Sequence, residues 1–378
     1  MKILLAHAYA GIGHKKAAEA IRDALAGFEE VELTTVDALD YTNAFFKFSY
    51  PRVYLFLINR VPLAWGFLYY LLDLRAVDVF LAPMRRLVHS LNAKRFTRLV
   101  LEKDPDTVVC THFLPADIVS GLKRKGLFKG RLITVVTDFL AHSFWMARAS
   151  DYFIGAIERT RQDLVRRGIK EDRVKVLGIP CEPKFGVSRD RRQLIKKLGL
   201  DDGPFNLLIM GGGFGTGPVK KIVHAIYDIE ARTREKLQVI VICGKNQRLF
   251  EELSKKKSDP GLRLCVFGYM NNIDEFMEAA DCIITKSGGL TVSESLSKKL
   301  PMIIIQPIPG QETRNCRILT GYGTAVRANT VGQVIDHVKD FLSFPEKIIG
   351  MRARINLLAY PDAARAIAGF VARGKIEQ

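Results

Sequence analysis

Short apolar runs alternate with amphipathic stretches from the first residues of the chain onward. Residues 2–7 form an apolar run of strand length, and the spacing of apolar positions after it predicts a helix over about 13–26. Further strands are expected at 31–36, 107–111, 132–137, 152–155 and 174–177, with helices from Ala116 and near 160–167. A second series opens with a strand at 206–210 and a helix over 219–229, then strands at 238–242, 264–267, 282–285 and 302–305, with a helix from Leu290. Apolar strands alternating with helical patterns predict an α/β protein with two parallel-sheet domains. At 378 residues, each domain is long enough to enclose a core. The charged, proline-containing stretch 180–204 reads as the linker, which places the domains at 1–185 and 186–358. The remainder, 359–378, contains a helix at about 363–373 that is expected to pack back on the N-terminal domain.

The hydrophobic share of 48% and charged share of 26% are those of a folded globular chain. Six cysteines (110, 181, 243, 265, 282, 316) show no CxxC spacing, and several fall inside apolar strands. Buried reduced thiols are therefore expected rather than disulfides or a zinc site, which points to a cytoplasmic protein. The opening MKILLAHAYAG reads as a first strand rather than a signal peptide.

Charge adds a second theme. The net charge is +17, and residues 41–100 hold nine basic residues against Asp73 and Asp78. The same sixty residues carry thirteen aromatics, among them Phe45, Phe56, Trp65, Phe67 and Tyr70. The longest charge-free run there, 61–72, is too short to cross a bilayer. Basic and aromatic residues enriched together fit a surface that docks on anionic lipid, with Arg85, Arg86, Arg95 and Arg98 as a basic cluster. The plainer alternative is two core helices with solvated basic faces. No nucleic-acid recognition motif is present, so no nucleic-acid partner is expected.

Candidate chemistry concentrates at strand ends. Ser287, Gly288 and Gly289 follow an apolar strand and open a helix, so backbone N–H groups there suit a diphosphate. Glu294 adds a carboxylate for ribose hydroxyls, and Gln311 and Glu312 offer the same to a sugar ring. Gly211 to Gly217, including Gly212 and Gly213, form a second phosphate-loop candidate. G-x-G-x-x-G fails there because Thr216 stands where glycine is required, and at Gly11 and Gly13 because Lys16 does, which disfavours an oxidoreductase. No GxxxxGK[ST] occurs. Gly11, Gly13 and His14 follow the first strand, where a helix dipole would keep the imidazole neutral and able to take a proton. His14 reads as catalytic base or acceptor-positioning group, with Asp138 as the rival base and His142 one loop further on. Trp145 lies in a short apolar loop and His112 follows a buried strand; packing is the plain reading of both. Asp104 and Asp106 read as a solvated turn, and neither a metal site nor a cofactor is expected.

These motifs, in this order, resemble the family-28 glycosyltransferases of GT-B fold, in particular the monogalactosyldiacylglycerol synthases and processive diacylglycerol glucosyltransferases. The matching pieces are Gly11, Gly13 and His14; Thr111, His112 and Pro115; Thr137, Asp138, His142 and Trp145; and Gly178 to Pro180. In the second half they are Gly211 to Gly213 with Gly215, 242–244, 267–269, Thr285 to Gly289, Glu294, and Pro309 to Glu312 with Asn315. Where that family has Lys-Pro-Gly-Gly this chain has Lys286-Ser287-Gly288-Gly289, which is also similar to the peptidoglycan N-acetylglucosaminyltransferase. The resemblance implies two Rossmann-like domains facing a cleft, with a UDP-sugar as donor substrate and diacylglycerol or another lipid as acceptor. It implies an inverting, metal-independent hexosyl transfer by a peripheral protein on the inner face of the cell membrane. It further implies donor-binding roles for Gly13, Gly212, Gly213, Phe267, Met270, Ser287, Gly288, Gly289, Glu294, Gln311, Glu312 and Asn315, the 267–273 segment holding uracil through its backbone. His112, His142 and Trp145 are implied on the acceptor side.

Overall fold

The computed structural model describes residues 1–9, 11–213, 215, 217–229, 237–256 and 262–373. Positions 214 and 216 of the glycine loop and 374–378 of the expected C-terminal segment lie outside the described residues. The chain divides into two compact units, one of Met1–Pro183 with Ile308–Arg314 and Asp362–Gln378, the other of Lys184–Pro307 with Asn315–Pro361.

The first unit carries a six-stranded parallel sheet in the order β2-β1-β3-β4-β5-β6. Its strands are β1 (Lys2–His7), β2 (Glu32–Asp37), β3 (Thr107–Cys110), β4 (Arg131–Val135), β5 (Tyr152–Gly155) and β6 (Val174–Val176). Every residue of β3 is buried, as a parallel strand covered on both faces requires. One face packs Ile3, Leu5, Val109 and Ile133 against Ile21 of helix α1 (Ile12–Leu25) and Ile367 and Phe370 of the C-terminal helix Ala363–Arg373. The other face packs Leu4, Val108 and Leu132 against Phe96, Val100, Leu114 and Val119. The chain leaves β1 for β2 on one side and returns to β3 on the other. The loops after β1 and β3 therefore meet at the switch point, where open α/β sheets bind ligands.

Residues 41–100 fold as four helices, α2 (Ala44–Arg60), α3 (Pro62–Asp73), α4 (Arg75–Asn92) and α5 (Lys94–Lys103). They are not a pair of core helices. Of 28 exposed large apolar side chains among the described residues, 17 lie between Phe45 and Leu91, with Leu63 and Phe80 each 82% exposed. Among the described residues no single helix is long and apolar enough to cross a membrane; the bent pair Ala44–Ile58 and Pro62–Asp73 has the length and composition only when taken together. The basic cluster needs correction. Arg85 pairs with Asp78 at 3.1 Å and Arg86 approaches Asp117 at 3.6 Å, so both are spent inside the unit. Arg95 and Arg98 of the predicted cluster are exposed on α5, and Arg52, Arg60 and Arg75 are exposed among the apolar side chains of α2 and α4.

The second unit repeats the plan with order β12-β11-β10-β7-β8-β9, all parallel. The strands are β7 (Phe205–Met210), β8 (Leu237–Ile242), β9 (Arg263–Phe267), β10 (Cys282–Thr285), β11 (Met302–Ile305) and β12 (Ala325–Ala328). Here the switch point falls between β7 and β10, so the loops carrying Gly212 and Ser287 share one edge. The stretch read as a linker is partly folded into this unit. Asp190 caps helix Arg191–Lys197, Leu194 and Ile195 are buried, and Arg189 and Lys197 bond Asp274 and Glu275 at 2.7 and 2.6 Å.

Candidate active site

In the first unit the switch point gathers His14, Thr111, His112, Thr137, Asp138 and Trp145. Helix α1 starts at Gly11 without a side-chain cap, which puts His14 in its first turn. His14 Nδ1 lies 2.8 Å from the Thr111 carbonyl oxygen and 3.0 Å from Thr137 Oγ1. A carbonyl only accepts, so Nδ1 carries the proton and Nε2 keeps its lone pair. Among the described residues nothing hydrogen-bonds Nε2. Thr111 Oγ1 donates back to the His14 carbonyl at 2.8 Å, fixing the helix start to the end of β3. Desolvation, with a smaller push from His7, pulls the imidazole down to about 4, so it is neutral at physiological pH. Burial, more than the helix end, is the cause.

Asp138 is buried at the end of β4. Its Oδ2 accepts from Trp145 Nε1 at 3.1 Å, and its Oδ1 accepts from Gln311 Nε2. Burial pushes the carboxyl up to about 6, opposed by these two donors and by Arg314. Trp145 is itself 2% exposed, and its ring stands 6.1 Å from that of His14. One indole thus separates the two candidate bases and fixes the second.

The other two histidines are tied to backbone. His112 Nδ1 accepts from the Leu114 N–H at 3.0 Å, capping helix α6 (Phe113–Arg124), and its ring meets His14 edge-on at 4.5 Å. His142 Nε2 donates to the Tyr69 carbonyl at 2.9 Å while Nδ1 accepts from Phe144 N–H at 3.1 Å. Both nitrogens of His142 are therefore engaged within the protein.

Sequence reading missed the group behind them. Asp73, at the end of α3, accepts from both Nη atoms of Arg167 at 2.9 Å, from the Ser143 N–H at 2.8 Å, and from Arg314. Burial alone would raise its carboxyl; Arg167, His142 and Arg314 hold it down at about 2. The available signal was a carboxylate standing almost alone in a basic, apolar stretch.

In the second unit the glycines do what their positions require. Gly212, Gly215, Gly217 and Gly244 all have positive φ, and a Cβ on Gly244 would lie 2.7 Å from the Gly213 carbonyl oxygen. The loops after β7 and β8 are thus in backbone contact, with the Lys245 N–H donating to Gly213 O at 3.1 Å. Helix Gly289–Ser297 starts at Gly288 without a side-chain cap, and a Cβ on Gly288 would meet nothing within 4 Å. An uncapped helix start with open space above it suits an anion. Asn315, 1% exposed, donates from Nδ2 to the Ser287 carbonyl at 3.0 Å, which fastens that turn. Glu294 is partly buried on the same helix. Phe267 packs on Phe276 with ring centroids 4.8 Å apart, its carbonyl accepts from Cys243 N–H, and Met270 is partly buried.

The loop after β11 is short, because Gln311 already begins the helix Gln311–Gly321. Glu312 Oε2 accepts from the Ile308 N–H at 2.9 Å, closing this turn on itself. Among the described residues no group of three His, Cys, Asp or Glu side chains is placed to hold a metal ion.

Comparison with known proteins agrees with this division. The family model for monogalactosyldiacylglycerol (MGDG) synthase matches residues 14–181, and that for the glycosyltransferase family 28 C-terminal domain matches 206–355. A processive diacylglycerol beta-glucosyltransferase of Bacillus pumilus (strain SAFR-032) is 30% identical over 373 residues, 97% of this chain and 93% of that protein. The protein of the same name from Bacillus subtilis (strain 168) is 32% identical over 277 residues, 72% of this chain and 70% of that one. Among solved structures, MurG of Acinetobacter baumannii superposes with a TM-score of 0.62 at 15% identity, covering 98% of this chain and 99% of that one. That likeness shows the GT-B fold of two Rossmann-like domains. The chain belongs to glycosyltransferase family 28, in the group of monogalactosyldiacylglycerol synthases and processive diacylglycerol beta-glucosyltransferases.

Proposed function

We propose that the protein transfers a hexosyl group from a UDP-sugar to the free hydroxyl of diacylglycerol, with inversion, at the inner face of the cell membrane. The supporting observation is the His14 imidazole: neutral, anchored through Nδ1–H on Thr111, and left with a lone pair on Nε2, with buried Asp138 bonded to the Trp145 indole that neighbours it. The acceptor hydroxyl loses its proton to His14 or Asp138 as its oxygen attacks the anomeric carbon. The bond from that carbon to the phosphate oxygen breaks, and its electron pair leaves with UDP. Amides of the Gly212 and Gly213 loop and of the helix starting at Ser287, Gly288 and Gly289 would take the charge growing on the β-phosphate, so no metal is required. Glu294 would hold the ribose, backbone at Phe267 and Met270 the base, and Gln311 and Glu312 the sugar. Gly13 and Asn315 act by keeping the helix start and the Ser287 turn in place. The exposed apolar side chains of α2 to α4, with Arg52, Arg60 and Arg75, would seat the protein on anionic lipid next to its acceptor.

The test is incubation of the purified protein with radiolabelled UDP-glucose, UDP-galactose, UDP-glucuronate or UDP-N-acetylglucosamine and vesicles of diacylglycerol in phosphatidylglycerol. Label in a lipid that requires both diacylglycerol and His14 is expected. Transfer only to a polyprenyl-linked acceptor, epimerised nucleotide sugar, or UDP binding without turnover would each overturn the reading.

A further inference from the structure

Helix α3 has two working faces. Leu63 and Phe67 on its outer side are 82% and 72% exposed. Its inner side meets the Ile308–Arg314 segment of the same unit with no room to spare. A Cβ on Gly66 would lie 2.5 Å from Pro309 Cβ, and a Cβ on Gly310 would lie 2.9 Å from the Tyr69 ring. Tyr69 is buried, and Arg314 stands over the Tyr69 and Tyr70 rings at 5.2 and 5.3 Å while donating to Asp73. Three residues before Arg314, Gln311 donates to Asp138. The segment is pinned at Pro309, Gly310 and Arg314, and Gln311 lies between those pins.

From this geometry we infer that Gly66 and Arg314 are positioning residues: helix α3 seats the 308–314 segment so that Gln311 reaches Asp138. The inference rests on the glycosyl-transfer reading only for its consequence in activity; the seating itself is open to observation without turnover. The groups that face Asp138 are the Trp145 N–H, Gln311 and Arg314, with Tyr54 of α2 and Tyr69 of α3 behind them and His14 across the indole. Gln311 and Arg314 both favour the ionised carboxylate. Unseating the segment removes both, so the Asp138 carboxyl rises further, by about one unit for loss of a nearby opposite charge.

Trp145 reports this directly, because its indole N–H bonds the titrating carboxylate and only Trp65 shares its fluorescence. In a Trp65→Phe background, the fluorescence transition near pH 6 should vanish in Asp138→Asn. It should move up by about one unit in Arg314→Met and in Gly66→Ala. Gly66→Ala is the sharper probe, since alanine inside a helix is otherwise favoured over glycine. Transfer to vesicle diacylglycerol, assayed in parallel, should show the acid limb of kcat/KM moving with that midpoint. The loss should be about tenfold below pH 6 and should close above pH 8, whereas a generally damaged fold would lose rate equally at every pH. An unmoved midpoint in both folded variants overturns the inference, whether or not the wild type transfers sugar. A moved midpoint with no wild-type transfer upholds the seating and counts against the glycosyltransferase reading alone.

Discussion

Asp138→Asn separates the cost of the site from its use. The carboxyl titrates at about 6 in the fold against 3.8 for the free side chain, and it is 6% exposed. The folded state therefore binds more protons than the unfolded chain between pH 3.8 and 6, and stability falls as pH rises through that window. The difference of 6 − 3.8 = 2.2 units corresponds to about 3 kcal/mol of destabilisation above pH 7 and about half of that at pH 5. Asparagine has the same shape and no charge, and Gln311 can turn its amide to match, so the variant should be the more stable protein near neutral pH. Exchange of charge-assisted hydrogen bonds for weaker neutral ones costs about 1 kcal/mol and reduces the net gain to about 2 kcal/mol. Urea denaturation of both proteins at pH 8, 6 and 4.5 reads this as a stabilisation that shrinks steadily with acid. A difference independent of pH would refute the assignment of the raised group to Asp138. The same protein decides the chemistry: kcat lower by about 10²–10⁴ makes Asp138 the proton acceptor, and unchanged kcat passes that role to His14.

Where Asp138→Asn leaves kcat unchanged, His14→Ala should lower it by about 10²–10⁴ while UDP affinity, read by calorimetry, stays at the wild-type value. Gly244→Ala must tolerate φ +58 and a Cβ 2.7 Å from the Gly213 carbonyl; it should cost at least about 1–2 kcal/mol in thermal unfolding and weaken UDP binding. Replacing Leu63, Phe67 and Phe80 by serine removes three exposed apolar side chains worth about 1.5 kcal/mol each on insertion, so vesicle flotation should fall at least about a hundredfold with the melting temperature unchanged.

The strands were legible because parallel strands buried on both faces are written as unbroken apolar runs, as in Met302–Ile305. The end of the chain was less so. β12, Ala325–Ala328, contains Arg327 and has only its two alanines buried, so it lacks the apolar run that marked the other strands. The amphipathic helices Val331–Ser343 and Pro345–Ile355 went unread with it. Glycine turns at strand ends were readable because a positive φ or a close backbone approach leaves few residue choices. The apolar surface of residues 41–100 was visible as composition, but not which cations serve it. Pairing of Arg85 with Asp78 and of Arg86 with Asp117 depends on helix facing and, for Asp117, on a contact 31 residues away. Asp73 was invisible for the same reason, since its partners Arg167 and Arg314 stand 94 and 241 residues downstream.

The histidines impose the opposite pH dependence from Asp138, and the balance between them is itself predictable. His14 and His142 are each held at about 4 against 6.5 for the free side chain, and burial holds His112 well below 6.5 as well. Between pH 6.5 and 4 the unfolded chain takes up protons at these three positions that the folded protein refuses, so stability rises with pH there. Near pH 5 His14 and His142 alone account for close to two protons against the one that Asp138 takes up on the folded side, an excess of about one to which His112 and His7, both also held below 6.5, add. The protein should therefore lose stability on acidification through this range, even though Asp138 alone would gain it. Denaturation midpoints followed from pH 7 to 4.5 measure the net uptake, and His142→Asn, which keeps a side-chain acceptor for the Phe144 N–H, should flatten the slope by about one proton. A slope that is zero or reversed in the wild type would show that the imidazoles are charged in the fold, and with them would go the neutral base on which the chemistry of His14 depends.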